Sequence, residues 1–76
     1  AVVEPKDILA EPIKMGAPKI ILVHNHPSGD PTPSKEDIEF TKRIYNASAL
    51  LGIELLDHIV IGNQKYISIF SIERME

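Results

Sequence analysis

Between Gly16 and Pro33 the chain passes from stiff extension into enforced bends, and few folds accommodate that succession. Lys19 to His24 is a continuous, largely β-branched apolar run fenced by Gly16, Pro18 and Pro27. Such a run reads as a strand buried on both faces and placed centrally in a sheet. Directly after it, Pro27, Pro31 and Pro33 surround Gly29. Proline lacks a backbone donor and fixes φ, so Pro27 to Pro33 must be a stiff loop rather than an element. Ser34, followed by Lys35, Glu36 and Asp37, then resembles an N-cap with acids in the first helical turn.

The flanks complete an α/β pattern. Pro5 suits the first position of a helix reaching about Met15, with Gly16 as its stop and Ile8, Leu9 and Ile13 as an apolar stripe. Pro12 should kink that helix, because it removes an internal hydrogen bond. Beyond Ser34, Ile38, Thr41, Ile44, Tyr45, Ser48 and Leu51 recur at helical spacing up to Gly52. Leu55 to Ile61 and Gln64 to Phe70 read as two strands joined at Gly62-Asn63, a dipeptide suited to a tight hairpin. The crossover from the first strand to the next is expected to be right-handed. Because the chain opens almost directly into a helix, its first strand lacks the neighbours a central strand needs. The expectation is therefore the C-terminal part of a larger domain.

Composition closes off several functions. A chain of 76 residues forms one small domain, and such a length buries only about 60% of the unfolded surface. The longest apolar runs are strand-sized, too short for a membrane span, and no targeting segment is visible. Cysteine is absent, which excludes disulfides and thiolate ligands and suits a reducing, cytoplasmic setting. A metal here must bind nitrogen and oxygen. The net charge is −3 and the eight Lys and Arg residues are scattered, so the electrostatic footprint of a nucleic-acid binder is missing.

Chemistry concentrates in His24 to Asp37. Side chains alternate along a strand, so His24 and His26 point the same way about 6–7 Å apart. Pro27 keeps His26 extended, while Asn25 points away from both. The loop then returns Asp37 to supply an oxygen. Two imidazoles and one carboxylate leave a fourth position open, as in catalytic zinc sites, where bound water ionises near pH ~7. Ser34 lies one helical turn before Asp37, placed to donate to an oxyanion. Plainer readings exist. A histidine at a strand end is usually packed or solvated, and S-x-x-D before an apolar helix is a capping box; capping and catalysis are compatible. Glu39, Lys42 and Arg43 read as a solvated helix face.

Taken together, H-x-H, seven residues and S-x-x-D after a buried strand resemble the JAMM or MPN+ metalloproteases, and within them the bacterial RadC-like proteins. "ILVHNHPSGDPTPSKEDI" and "LLGIELLDHIVIG" carry the similarity, which runs from "EPKDILAEPIKMGA" to "KYISI". The resemblance implies a three-layer α/β/α fold with a mixed sheet, here without its N-terminal strands, so that residues 1–76 form a partial domain. It also implies Zn2+ held by His24, His26 and Asp37, with Ser34 stabilising the tetrahedral intermediate. The substrate class it implies is a peptide or isopeptide, and a historical DNA-repair association comes with it. The family further requires a glutamate on an earlier strand. Glu4 and Glu11 fall at or within the first helix, so the base is expected before Ala1.

A non-enzymatic binding or scaffolding module associated with DNA repair, its metal structural or absent, is the other reading. The contiguous letters HNH do not make a nuclease of that name, whose residues spread over a hairpin and helix. Zinc deaminases need a cysteine pair this chain lacks. Asp57-His58 resembles a recurrent RadC dipeptide and reads as a structural pair at a strand start, or as one that orients a ligand from behind. Unpaired sheet edges invite a homodimer.

Overall fold

The computed structural model describes residues 3–75. Six elements follow one another: α1 (Pro5–Met15), β1 (Lys19–Asn25), α2 (Lys35–Leu50), β2 (Glu54–Gly62), β3 (Lys65–Ser68) and α3 (Ile69–Ile72). The strands form one mixed sheet in the order β1-β2-β3, with β1 parallel to β2 and β3 antiparallel to it. The fold is α/β with a mixed sheet, compatible with part of the JAMM or MPN-like fold that the resemblance implies.

Local chemistry accounts for the element ends. Pro5 opens α1, whose first turn is closed by a reciprocal box in which the Asp7 carboxylate accepts from the Glu4 amide at 2.9 Å. Gly16 ends it in the left-handed conformation at φ 67°. The helix runs on through Pro12, since Pro12 forfeits a single internal bond while Leu9 holds its turn in the core. Gly52, at φ 75°, turns the chain out of α2.

The core is small and lies on one side of the sheet. Ile44 of α2 and Val60 of β2 are fully buried, joined by Leu9, Ile53, Leu55 and Ile69. Thr41 of α2 reaches His58 of β2 across the packed interface. Here the structure departs from the expectation of a doubly buried central strand. β1 is an edge strand, and Ile21 and Val23 are 56% and 63% exposed. The alternate side chains Ile20, Leu22 and His24 are the half-buried ones. A continuous apolar run carries no signal distinguishing which of its two faces the described residues cover.

The C-terminal hairpin also differs. Gly62 pairs with Lys65, so the two-residue turn is Asn63-Gln64, and Gln64 takes φ 55°. Gly62 serves a different contact, because a Cβ built there would collide with the Gly29 carbonyl and lie 2.8 Å from Pro31 Cδ. The proline loop rests directly on the end of β2, and the Asn63 amide donates to the Gly29 carbonyl at 2.7 Å. β3 stops at Ser68, short of the expected Phe70. Ser68 caps α3 by accepting from the Ser71 amide, and Asp57 accepts from the Phe70 amide and the Ser68 hydroxyl. A turn so capped leaves the sheet.

Gly62→Ala is therefore expected to lower stability by about 1–3 kcal/mol through overpacking. Urea unfolding of both proteins checks this; equal midpoints would mean that the loop does not rest on Gly62.

Candidate metal centre

The parallel pairing of β1 with β2 runs to Asn25 opposite Ile61. It is carried one step further by the His26 amide, which donates to the Ile61 carbonyl at 2.8 Å. His26 thus stays extended, and His24 and His26 share the face that looks toward α2. Beyond it the chain bends at once. The Gly29 amide donates back to the His26 carbonyl at 3.0 Å, with Gly29 at φ 90°. The Asp30 carboxylate then accepts from the Thr32 amide at 3.0 Å. Hydrogen bonds from Thr32 hold the Asp30 carboxyl below its ordinary range.

The loop delivers Ser34 as the N-cap of α2. Its hydroxyl oxygen accepts from the Asp37 amide at 3.0 Å, and the Asp37 carboxylate accepts from the Ser34 amide at 2.8 Å. This capping box fixes where the carboxylate points. Oδ2 lies 3.0 Å from His26 Nε2, and Oδ1 lies 3.6 Å from His24 Nδ1. The His24 and His26 rings meet edge to face with centroids 4.7 Å apart. One donor atom from each of the three residues lies within 4.8 Å of the others. An ion bonded at about 2.0–2.2 Å in a tetrahedron holds its ligand atoms about 3.3–3.5 Å apart, so small side-chain movements would complete the cage.

The hydrogen bonds of His26 constrain the site further. His26 Nδ1 lies 2.9 Å from the Asp30 carbonyl. A carbonyl only accepts, so Nδ1 carries the proton and donates. In the neutral ring Nε2 is then a bare lone pair, aimed at a carboxylate oxygen that also only accepts. Two acceptors 3.0 Å apart repel unless a positive particle sits between them, either a second ring proton or a metal cation. A histidine that binds a metal through one nitrogen and donates from the other to a carbonyl has the same arrangement.

Burial pushes the Asp37 carboxyl upward, but the bonds from Ser34 and the neighbouring His24 and His26 outweigh it, and the net shift is downward. The carboxylate is the ready form. Ser34 is exposed at the rim, and since its oxygen accepts the Asp37 amide, its own proton stays available to a substrate. A cleft of about 830 Å³ opens beside His24 and Asp37, lined also by His58, Glu36, Ile8, Leu22 and Phe40.

The acids weighed for a proton-transfer role are engaged elsewhere. Glu4 caps α1 and lies 3.5 Å from Arg43, and Glu11 pairs with Lys14. Asp57 and His58 act in different places. Asp57 ties down α3, whereas the buried His58 faces the site, its ring stacked on His24 with centroids 6.0 Å apart. Burial foremost, and then His24, lowers the His58 pKa. The dipeptide marked His58 for notice, but only the register, which pairs it with Leu22, puts it beside the ligands.

Residues 1–75 match the family model of the RadC-like JAB domain. The chain is 64% identical over 66 residues to a UPF0758 protein of Carboxydothermus hydrogenoformans, covering 87% of this chain and 29% of that protein. It is 55% identical over 69 residues to one from Geobacillus thermodenitrificans, covering 91% and 30%. Against the UPF0758 protein YsxA of Bacillus subtilis the figures are 54% over 69 residues, 91% and 30%. The chain thus spans about three-tenths of the length of these relatives.

In the presence of a chelator, Asp37→Ala should lower stability by about 1 kcal/mol, because the carboxylate arm of the capping box and a charge favourable to the helix dipole go, while the backbone amide still donates to the Ser34 hydroxyl. His24→Ala, more exposed and lacking a short bond, should change it by less than about 0.5 kcal/mol. Urea titrations decide: equal losses would remove Asp37 from its place as the anchor of the site.

Proposed function

The chain belongs to the RadC-like JAB domain family, and from that premise we propose that it carries the metal-binding part of a zinc-dependent metallohydrolase acting on an amide or isopeptide bond. The observation that carries this reading is the convergence of His24, His26 and Asp37, one ligand atom from each within 4.8 Å of the others, with His26 Nδ1 turned to the Asp30 carbonyl. His24, His26 and Asp37 would hold the ion: two nitrogens and one oxygen, a donor set that suits zinc and leaves a position free. Zinc, when bound, supplies a Lewis acid and water that ionises near neutral pH.

The chain's own groups then have definite roles. The Asp30 carbonyl holds the His26 tautomer, and Ser34 orients the Asp37 carboxylate through its amide. The Ser34 hydroxyl donates to the substrate carbonyl oxygen as that oxygen gains charge. The cleft beside the ligands admits substrate, and its apolar wall of Ile8, Leu22 and Phe40 limits water there. A general acid and base completes the reaction. We place it on a glutamate outside residues 1–76, as the family resemblance implies; Glu4 and Glu11 belong to α1 and its N-cap, and Glu36, which lines the cleft, lies in the first turn of α2 rather than on a strand. A net charge of −3 argues against a phosphate-binding surface on this segment.

Two measurements test the reading. The chain should bind zinc one to one in calorimetry, and His26→Ala should weaken that binding by at least about 100-fold, as loss of a direct ligand does. The full-length relative from Carboxydothermus hydrogenoformans, stripped by chelator, should stop cleaving isopeptide-linked test peptides and recover on adding zinc. Unchanged binding by His26→Ala, or cleavage unaffected by chelation, would overturn the proposal. A steep fall of DNA affinity with salt would instead favour the binding module.

A further inference from the structure

His58 is 4% exposed and Thr41 is fully buried, yet both place polar atoms in the packed layer between α2 and the sheet. Thr41 Oγ1 lies 2.7 Å from the Asp37 carbonyl and 2.6 Å from His58 Nδ1. The hydroxyl has one proton and the carbonyl accepts only. Both contacts are satisfied in one arrangement: Thr41 donates to the Asp37 carbonyl, and His58 Nδ1–H donates to Thr41. No fully buried side-chain nitrogen or oxygen among the described residues lacks a partner.

Both ends of this polar chain touch the metal-binding residues. At one end, the bond to the Asp37 carbonyl grips the backbone of the residue whose carboxylate faces the imidazoles. At the other, the His58 ring lies nearly parallel to His24, at 26°. The backbone beneath His58 is held as well, since its amide donates to Asp57 Oδ1 at 2.7 Å, and Asp57 is anchored to Ser68 and Phe70. α2 and β1 supply the ligands but share few direct bonds. His58 on β2 spans them.

We propose that His58 is a positioning residue for the metal centre: its Nδ1–H, relayed through the Thr41 hydroxyl to the Asp37 carbonyl, sets the helix end bearing Asp37 against the strand end bearing His24. This rests on the metal-centre reading above. It adds a role for two buried residues that are not ligands of the ion. Groups behind a metal site of this kind commonly change affinity by about 10- to 100-fold when removed.

The test uses the intact chain and Co2+ as probe. Long-range 1H–15N spectra of the metal-free protein should show His58 protonated at Nδ1; an Nε2–H tautomer there would overturn the proposal outright. Thr41→Val keeps the side-chain volume but ends the relay, and it should weaken Co2+ binding about tenfold and alter the visible spectrum of the bound ion. Thr41→Ser retains the hydroxyl and should restore both. A folded Thr41→Val protein with wild-type affinity and spectrum would refute the relay. Should Thr41→Val fail to fold, the wild-type tautomer and Thr41→Ser decide alone, the latter having to keep wild-type affinity. A wild-type chain that takes up no Co2+ would instead count against the metal reading, leaving the tautomer to be judged by itself.

Discussion

The Asp37 carboxylate is the point on which the rest of the site turns. One oxygen closes the capping box with the Ser34 amide and at the same time meets His26 Nε2, while the other faces His24. An acid in the first turn of a helix is favoured by the helix dipole and by capping whatever else it does. The fold therefore has its own reason to hold this group charged and stationary. The two imidazoles arrive opposite a carboxylate that the helix has already fixed.

What holds the opposite side is hydrogen bonding rather than mass of core. A chain this short cannot bury much, and from His26 to Ser34 only Pro31 is buried. The stiffness of this stretch comes from backbone bonds at both ends of the loop: the His26 amide to Ile61, the Gly29 amide to His26, the Asn63 amide to Gly29. Prolines at 27, 31 and 33 remove alternatives that would otherwise compete. Gly62 allows the contact that seats the loop on β2. Preorganisation is thereby obtained from backbone geometry, which suits side chains proposed to hold an ion in a fixed arrangement.

Local signals were legible in the sequence wherever they act locally. Pro5, Gly16, Ser34 and Gly52 mark helix ends by the capping chemistry of the residues themselves, and strand alternation alone brings His24 and His26 to one face. Features decided by neighbours distant in the chain were not legible. The apolar run of β1 gave no hint that Ile21 and Val23 face outward, because burial depends on what covers each face. Gly62 read as a turn residue, although its lack of a side chain serves the approach of a loop far earlier in the chain. Ile69 and Phe70 read as strand residues, but Asp57, from the neighbouring strand, supplies an acceptor for the Phe70 amide and the chain turns into α3.

His58 shows why such placements matter for chemistry and not only for packing. From sequence, a histidine beginning a strand is ambiguous between structure and function, and the structure dissolves the choice. A buried imidazole needs partners for its ring nitrogens, and the hydroxyl in reach of Nδ1 belongs to Thr41, already bonded to Asp37. Satisfying the core therefore constrains the site, because one set of protons serves both. A polar group buried behind a cluster of ligands is costly to leave unpaired. Its hydrogen-bond direction is accordingly among the least negotiable facts of the fold, and the ligands in front of it inherit that rigidity.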